Sequence, residues 1–519
     1  MFLIIITILI SNVLSNPLNC FELNNKSIEL SNSNKTLIIK GEGKMCDCHY
    51  DNLLNYKQLI ESIIITNTTT SVGMKCFMNF EKLTHVNLGN RTLSIGKFAF
   101  SNTKLSSLAI SRSVVQIEEF AFSENEELEN IEFEYLNEHN NQTLNIEKFA
   151  FHNCKKLSTF YFPNHLKYLD LDVFKGCKNL KELIAGNNHE IYKIINNVLF
   201  NINGTISIFY PFGLNSERYT IPNETKIIGE KEFLQSKLKT VQIKESVETI
   251  EKQAFYGNRN LISLFIPQSV KTIEEYSFAF NDNLKHVVIA SKNIKLKSKV
   301  FYKCKNLKTV IIISEIIDIS EDIFDGCEQL NEIKVSKQFG NDLLFNGIKI
   351  RKDIEKGTCG EKCIYIVEME EKRMNIFGEG ILSKFDKDFN DLIEVIIDEG
   401  IETIKENAFD QMSKLQTLEY KGFINPCDSY NAFKYSNITR TNVPIEYKST
   451  NFSFLIPISS GECGKECTWE YNHNTKSLSI YGRTIMNYDD AESVPWYSQM
   501  SNIQIISLEK NRTYRFKCF

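Results

Sequence analysis

Proline is scarce, at 9 in 519 residues, and glycine reaches only 23. These counts exclude a collagen-like chain and a proline-rich low-complexity chain. Neither sign of charge dominates: 60 Lys and Arg face 65 Asp and Glu, for a formal net charge of −5. The chain therefore lacks a basic footprint, and nucleic acid is not an expected partner. After the first 20 residues no apolar run approaches the ~18 needed to cross a bilayer. The longest, Val310 to Ile319, already contains Glu315 and Asp318. Signatures of chemistry are missing as well: there is no H-E-x-x-H, no G-x-S-x-G and no G-x-x-x-x-G-K-[ST]. Eight histidines are scattered along the chain. Asp386, Asp388 and Asn390 open like a calcium loop, but Asp391 stands where glycine is needed and Ile397 where glutamate is needed. No cofactor or metal is expected, and the chain does not read as an enzyme.

What is present begins with a leader. Phe2 to Ile10 is apolar, and Val13-Leu14-Ser15 precedes an acceptable cut at Asn16. This is the pattern of a secretory signal over residues 1–15, despite the missing basic start. The expected location is secreted or on the extracellular cell surface, with no membrane-spanning segment after the signal. All 14 cysteines lie beyond that leader, which suits an oxidising compartment. Cys359–Cys363 and Cys463–Cys467 are candidates for small disulfide-closed loops. Among the N-x-[ST] triplets, Asn141 and Asn203 lie in polar loops and are the glycosylation candidates.

The dominant feature is a repeat. Phenylalanines at 77, 100, 122, 151, 174, 233, 255, 278, 301 and 324 recur mostly at 22 or 23 residues. A leucine follows each by five or six positions and opens an L-x-x-φ-x-φ run, as in LISLFI and LKTVII. Full units read NLISLFIPQSVKTIEEYSF and KLKTVQIKESVETIEKQAF. The alternating run predicts a short strand with one buried face, and the S-V-x-x-I-x-x-x-A-F segment returns the chain. One unit cannot bury these residues alone; stacked units can, with a parallel strand ladder and a column of phenylalanine rings. Cys154, Cys177, Cys304 and Cys327 each follow a repeat phenylalanine by three. They predict a column of small buried thiols; neighbouring rungs are close enough for disulfides, although stacked side chains aim poorly for them. In the long gap after Phe174, Asn203-Gly204 between apolar pairs signals a hairpin.

The S-V-x-x-I-x-x-x-A-F-x-x-C-x-x-L words resemble the BspA-like (treponemal-type) leucine-rich repeats of microbial surface proteins, over most of residues 70–350. The resemblance implies a leucine-rich-repeat solenoid, a β-dominated horseshoe or ladder of ~23-residue units. A second repeated element occurs at KTLIIKGEGKM, KRMNIFGEGIL and KSLSIYGRTIM, each followed by a strand-like run and then a new Phe unit. It reads as a β-hairpin capping module that shields the open edge of a repeat block. The expected organisation is a signal peptide at 1–15, an N-terminal β cap at 16–70 and the main array at 71–350. A second cap with its cysteine pair follows at 351–393, a short second block at 394–450, and a third cap at 451–519 that ends as a new repeat starts.

The resemblance implies a binding protein of adhesin type, facing a protein or extracellular-matrix ligand on a host or neighbouring cell. A self-associating coat protein is the alternative; a secreted enzyme has no motif behind it. In L-x-x-φ-x-φ the residue before each φ faces outward. Three adjacent strands then present Phe265, Val288 and Ile311 as an exposed apolar column, beside a polar column of Ser263, His286 and Thr309. An exposed apolar patch with a polar rim suits a protein ligand.

Overall fold

The computed structural model describes residues 24–31, 35–45, 47–48, 57–134, 142–186, 189–314, 316–336, 348–427, 431–450, 452–453, 455–464, 467–482 and 496–508. The leader, Asn141, the end of the chain at Phe519 and the side chains of Cys463 and Cys467 lie outside these residues.

Each L-x-x-φ-x-φ run is a short strand, and successive runs pair in parallel. Ser263 aligns with His286 and Thr309, and Phe265 with Val288 and Ile311. The φ residues of these runs, Leu264, Ile266, Val287, Ile289, Val310 and Ile312, are all buried. The V-x-x-I words form a second, shorter parallel ladder, in which Thr249–Ile250 pairs with Thr272–Ile273 and onward with Asn293–Leu296. Two ladders rather than one thus enclose the core, and the return segment between them carries the phenylalanines.

That segment turns through left-handed backbone angles at two residues in most units, two before and two after the repeat phenylalanine; at Phe174 and Phe324 only the second place, Gly176 and Gly326, is left-handed. Gln253 and Gly257 flank Phe255, and Tyr276 and Phe280 flank Phe278, all at φ of 57–70°. Glycine or asparagine often fills the second place, where the missing or short side chain eases this conformation. Elsewhere the strain is held by main-chain bonds to the next unit, such as Phe255 N–H to Ser277 O (2.7 Å) and Phe278 N–H to Val300 O (2.9 Å). The ring column runs from Phe233 through Phe255, Phe278 and Phe301 to Phe324, with centroids 4.8, 5.0, 5.6 and 5.6 Å apart.

Cys154, Cys177, Cys304 and Cys327 are buried free thiols. Each donates to a phenylalanine carbonyl of the preceding unit, as Cys304 Sγ does to Phe278 O (3.1 Å). At the same repeat position Asn281 Nδ2 bonds Phe255 O and Phe278 O.

The insertion after Phe174 breaks the main array into two cores, one from Leu37 to Phe209 and one from Val198 to Val335. Strands Val198–Asn201 and Ile206–Phe209 turn through Gly204 at φ +72°. A further hairpin at Asn196-Asn197, both at positive φ, joins Tyr192–Ile195 to Val198–Asn201; the sequence reading did not single it out.

The second module is three strands, Lys349–Gly360, Cys363–Glu368 and Arg373–Gly378, joined antiparallel. Two reversals restore the original direction. Its first strand therefore adds in parallel to Glu332–Ser336, and its last accepts Glu394–Ile397 in parallel. The third module repeats this design with Pro457–Gly464, Cys467–Asn472 and Ser477–Gly482. One 14-stranded sheet consequently runs from Ser263–Ile266 to Ile505–Leu508. Cys359 and Cys363 are bonded, with Cα atoms 5.1 Å apart. A second disulfide, Cys48–Cys76, ties the N-terminal module to the first Phe unit.

Candidate binding chamber

The sheet bends strongly between Ser263–Ile266 and Arg373–Gly378, so that strands far apart in sequence face each other. The Phe377 ring stacks on Phe265 with centroids 4.8 Å apart and planes 3° from parallel. Ile354, Ile364 and Ile366 pack over the same place, and Lys356 Nζ donates to Ile313 O (2.8 Å). The expected exposed apolar column is therefore not exposed. Val288 keeps 8% and Ile311 5% of its surface, and Phe265 is partly buried. The alternation rule placed these side chains on the correct face of the strands. It carried no information on sheet curvature, which brings the second module over that face.

Beside this covered apolar floor the concavity stays open as a chamber of ≈ 780 Å³. All six sequence candidates line it: Ser263, His286, Thr309, Phe265, Val288 and Ile311. His286 keeps contact with solvent, and the partial desolvation imposed by the chamber walls, followed by the charges of Lys421, Lys285 and Lys308, lowers its pKa. A neutral ring is thus presented at pH 7.

The opposite wall is charged. On the last strand of the second module, Arg373, Asn375 and Phe377 share the chamber face. Glu394 and Ile396 continue it on the next strand with Asp398, and Glu419 follows with Lys421. Lys334 pairs with Glu368 at 2.5 Å and Glu371 at 2.7 Å; Arg373 pairs with Glu394 at 2.5 Å. Asn375 Nδ2 donates to Glu368 at 3.1 Å. Burial works against the Lys334 charge, but its bonds to the two glutamates outweigh it and raise the pKa. Burial raises Asp398, with Lys421 opposing. Burial also raises Glu399, and repulsion from Asp398 adds to it.

The mouth is crossed by charged contacts. Arg218 pairs with Glu399 at 3.2 Å and lies 4.1 Å above the Phe423 ring. Glu379 accepts the Glu245 N–H (3.0 Å) and lies 3.7 Å from Lys244 Nζ. The sequence reading missed these residues because it applied the outward-facing rule to the main array alone. The same rule on LIEVII and LQTLEY marks Glu394, Ile396, Thr417 and Glu419, and the alternation carried one step further reaches Asp398 and Lys421.

Asn203 sits at an exposed hairpin turn, away from the chamber lining. Among the described residues there is one buried Ser–His contact, Ser459 Oγ to His473 Nε2 at 2.7 Å. The Ser459 hydroxyl donates to Val443 O, so its proton is committed to the main chain.

A solved leucine-rich repeat protein from Eubacterium ventriosum is 22% identical, covers 64% of this chain and 92% of its own, and has a TM-score of 0.47. The pneumococcal vaccine antigen PcpA is 19% identical over 63% of this chain and 98% of its own, with a TM-score of 0.47. A leucine-rich cell surface protein from Faecalibacterium prausnitzii is 21% identical over 63% and 97%, with a TM-score of 0.44. No curated protein matches in sequence. The profile of the BspA type leucine rich repeat region matches in six copies, over residues 50–181, 138–212, 205–331 and 383–457. With more than half of its length in these repeats, the chain belongs to the BspA-type leucine-rich repeat family.

Proposed function

We propose that this chain is a secreted or cell-surface binding protein of adhesin type, which holds a protein or matrix ligand in the chamber of its curved sheet. The observation that carries the reading is the chamber itself. Its ≈ 780 Å³ lies in the range of specific ligand sites, with an apolar floor of Phe265 and Phe377 and convergent polar groups on its walls. Membership of a repeat family supports it, since a rigid solenoid presents a long preformed surface at little entropic cost. No helix among the described residues is long and apolar enough to cross a membrane.

The test uses the full chain and immobilised matrix and host-cell proteins. Ser263→Trp with Thr309→Trp fills the chamber from its half-buried polar column. Binding should be lost while the melting temperature is kept; retained binding at unchanged stability removes the chamber as the site. The extracellular location is tested separately by N-terminal sequencing of the mature protein, which should begin near Asn16.

A further inference from the structure

The chamber's charges are unevenly matched. Seven carboxylates line it against four cations. Arg218, Lys334 and Arg373 are taken by Glu399, Glu368 and Glu394. Among the described residues Glu245, Asp398 and Glu419 form no direct ion pair, and Lys421 is the one lining cation left to them. Glu245 lies beside Glu379; its pKa is raised by burial, with that neighbour's repulsion adding to it. A partly desolvated site with excess negative charge attracts cations and disfavours anions.

The apolar part sets a second requirement. Phe377 lies one rung from Asp398, since Arg373–Gly378 and Glu394–Ile397 pair in register and Asp398 N–H continues the ladder to Ile376 O (2.9 Å). The stacked Phe265–Phe377 rings thus stand next to the unpaired carboxylate. The molecule itself shows how such a site holds a guanidinium: Arg218 lies over Phe423 and pairs with Glu399. That arrangement joins a cation–π contact to a charge-assisted hydrogen bond.

We propose that the chamber takes a cationic segment of a protein partner, an extended stretch carrying arginine or lysine beside an aromatic or aliphatic side chain. The cation lies against Asp398 and Glu419, and the apolar neighbour against Phe265 and Phe377. This inference rests on the chamber being the binding site.

The test measures fluorescence anisotropy of two labelled pentapeptides with the full chain, Ala-Arg-Phe-Arg-Ala and Ala-Glu-Phe-Glu-Ala. The basic probe should bind at least about tenfold more tightly. Its affinity should fall as ionic strength rises from ~0.05 to ~0.5 M. Asp398→Asn with Glu419→Gln should weaken it about tenfold at an unchanged melting temperature. Equal binding of the two probes, failure of the basic probe to bind, or full affinity in the double variant overturns the proposal. Preference for the acidic probe, abolished by Ser263→Trp with Thr309→Trp, overturns the charge assignment but keeps the chamber as the site. Matrix binding that survives the two tryptophans removes the chamber reading itself.

Discussion

Glu232 is a carboxyl group inside the core. It accepts the Ser207 hydroxyl and, at 3.3 Å, the Gly229 N–H, while its Oε1 has no partner. Burial pushes its pKa up from 4.5 to about 8, with the two hydrogen bonds opposing. The Tyr219 hydroxyl, also buried, feels this carboxylate: burial and then the Glu232 charge hold it above its ordinary range. The folded state therefore favours the protonated acid more than the unfolded chain does. That stabilisation is full below about pH 4.5 and is lost as pH rises through about 8, on the order of a few kcal/mol. Thermal melts should show a fall in stability across this window, and Glu232→Gln should flatten it. Asn281 gives a second residue-scale prediction. Its Nδ2 serves Phe255 O (3.0 Å) and Phe278 O (2.6 Å) inside the core. Asn281→Ala should cost about 1–3 kcal/mol in chemical denaturation, because buried carbonyls lose a donor. Asn281→Cys should cost less, since cysteine fills the same repeat position at 304 and 327 and donates to the same kind of carbonyl.

At the scale of the repeating element, the rings and the turns are separable. Phe278 is fully buried between Phe255 and Phe301. Phe278→Ala should cost about 3–5 kcal/mol, through lost apolar burial and the cavity left in the column. The turn offers the opposite sign. Gln235 holds φ 54° at the place where Gly257 and Gly326 stand in other units. Gln235→Gly should stabilise by up to ~1 kcal/mol, because relief of left-handed strain exceeds the entropy that glycine loses. A lower denaturation midpoint would show that the Gln235 side chain contributes more than its backbone conformation costs. Both elements were legible in advance, because strand alternation and the 22–23-residue return of phenylalanine record contacts between a unit and its immediate neighbour. The asparagine pair at 196 and 197 was less legible, since its left-handed turn lies inside an insertion with no repeat to compare it with.

For the whole molecule, the question is what keeps the sheet curved. The contacts across the chamber mouth join residues 181 and 134 apart in sequence: Arg218 with Glu399, and Glu245 with Glu379. Partly exposed ion pairs contribute only about 0–1 kcal/mol each. Arg218→Ala should therefore leave global stability nearly unchanged, while amide hydrogen exchange near Arg218–Thr220 and Glu394–Ile397 quickens. Unaltered exchange would assign the curvature to the Phe265–Phe377 packing instead. The amino-acid sequence alone determined the period, the strands, the buried ring column and the side of each strand that faces away from the core, because all of these depend on residues one rung apart. Only the tertiary structure decided that Val288 and Ile311 lie covered, that Cys48 meets Cys76, and that charges from three blocks converge on one chamber. Curvature is the sum of small rotations over many rungs and two module insertions, and no single unit contains that sum.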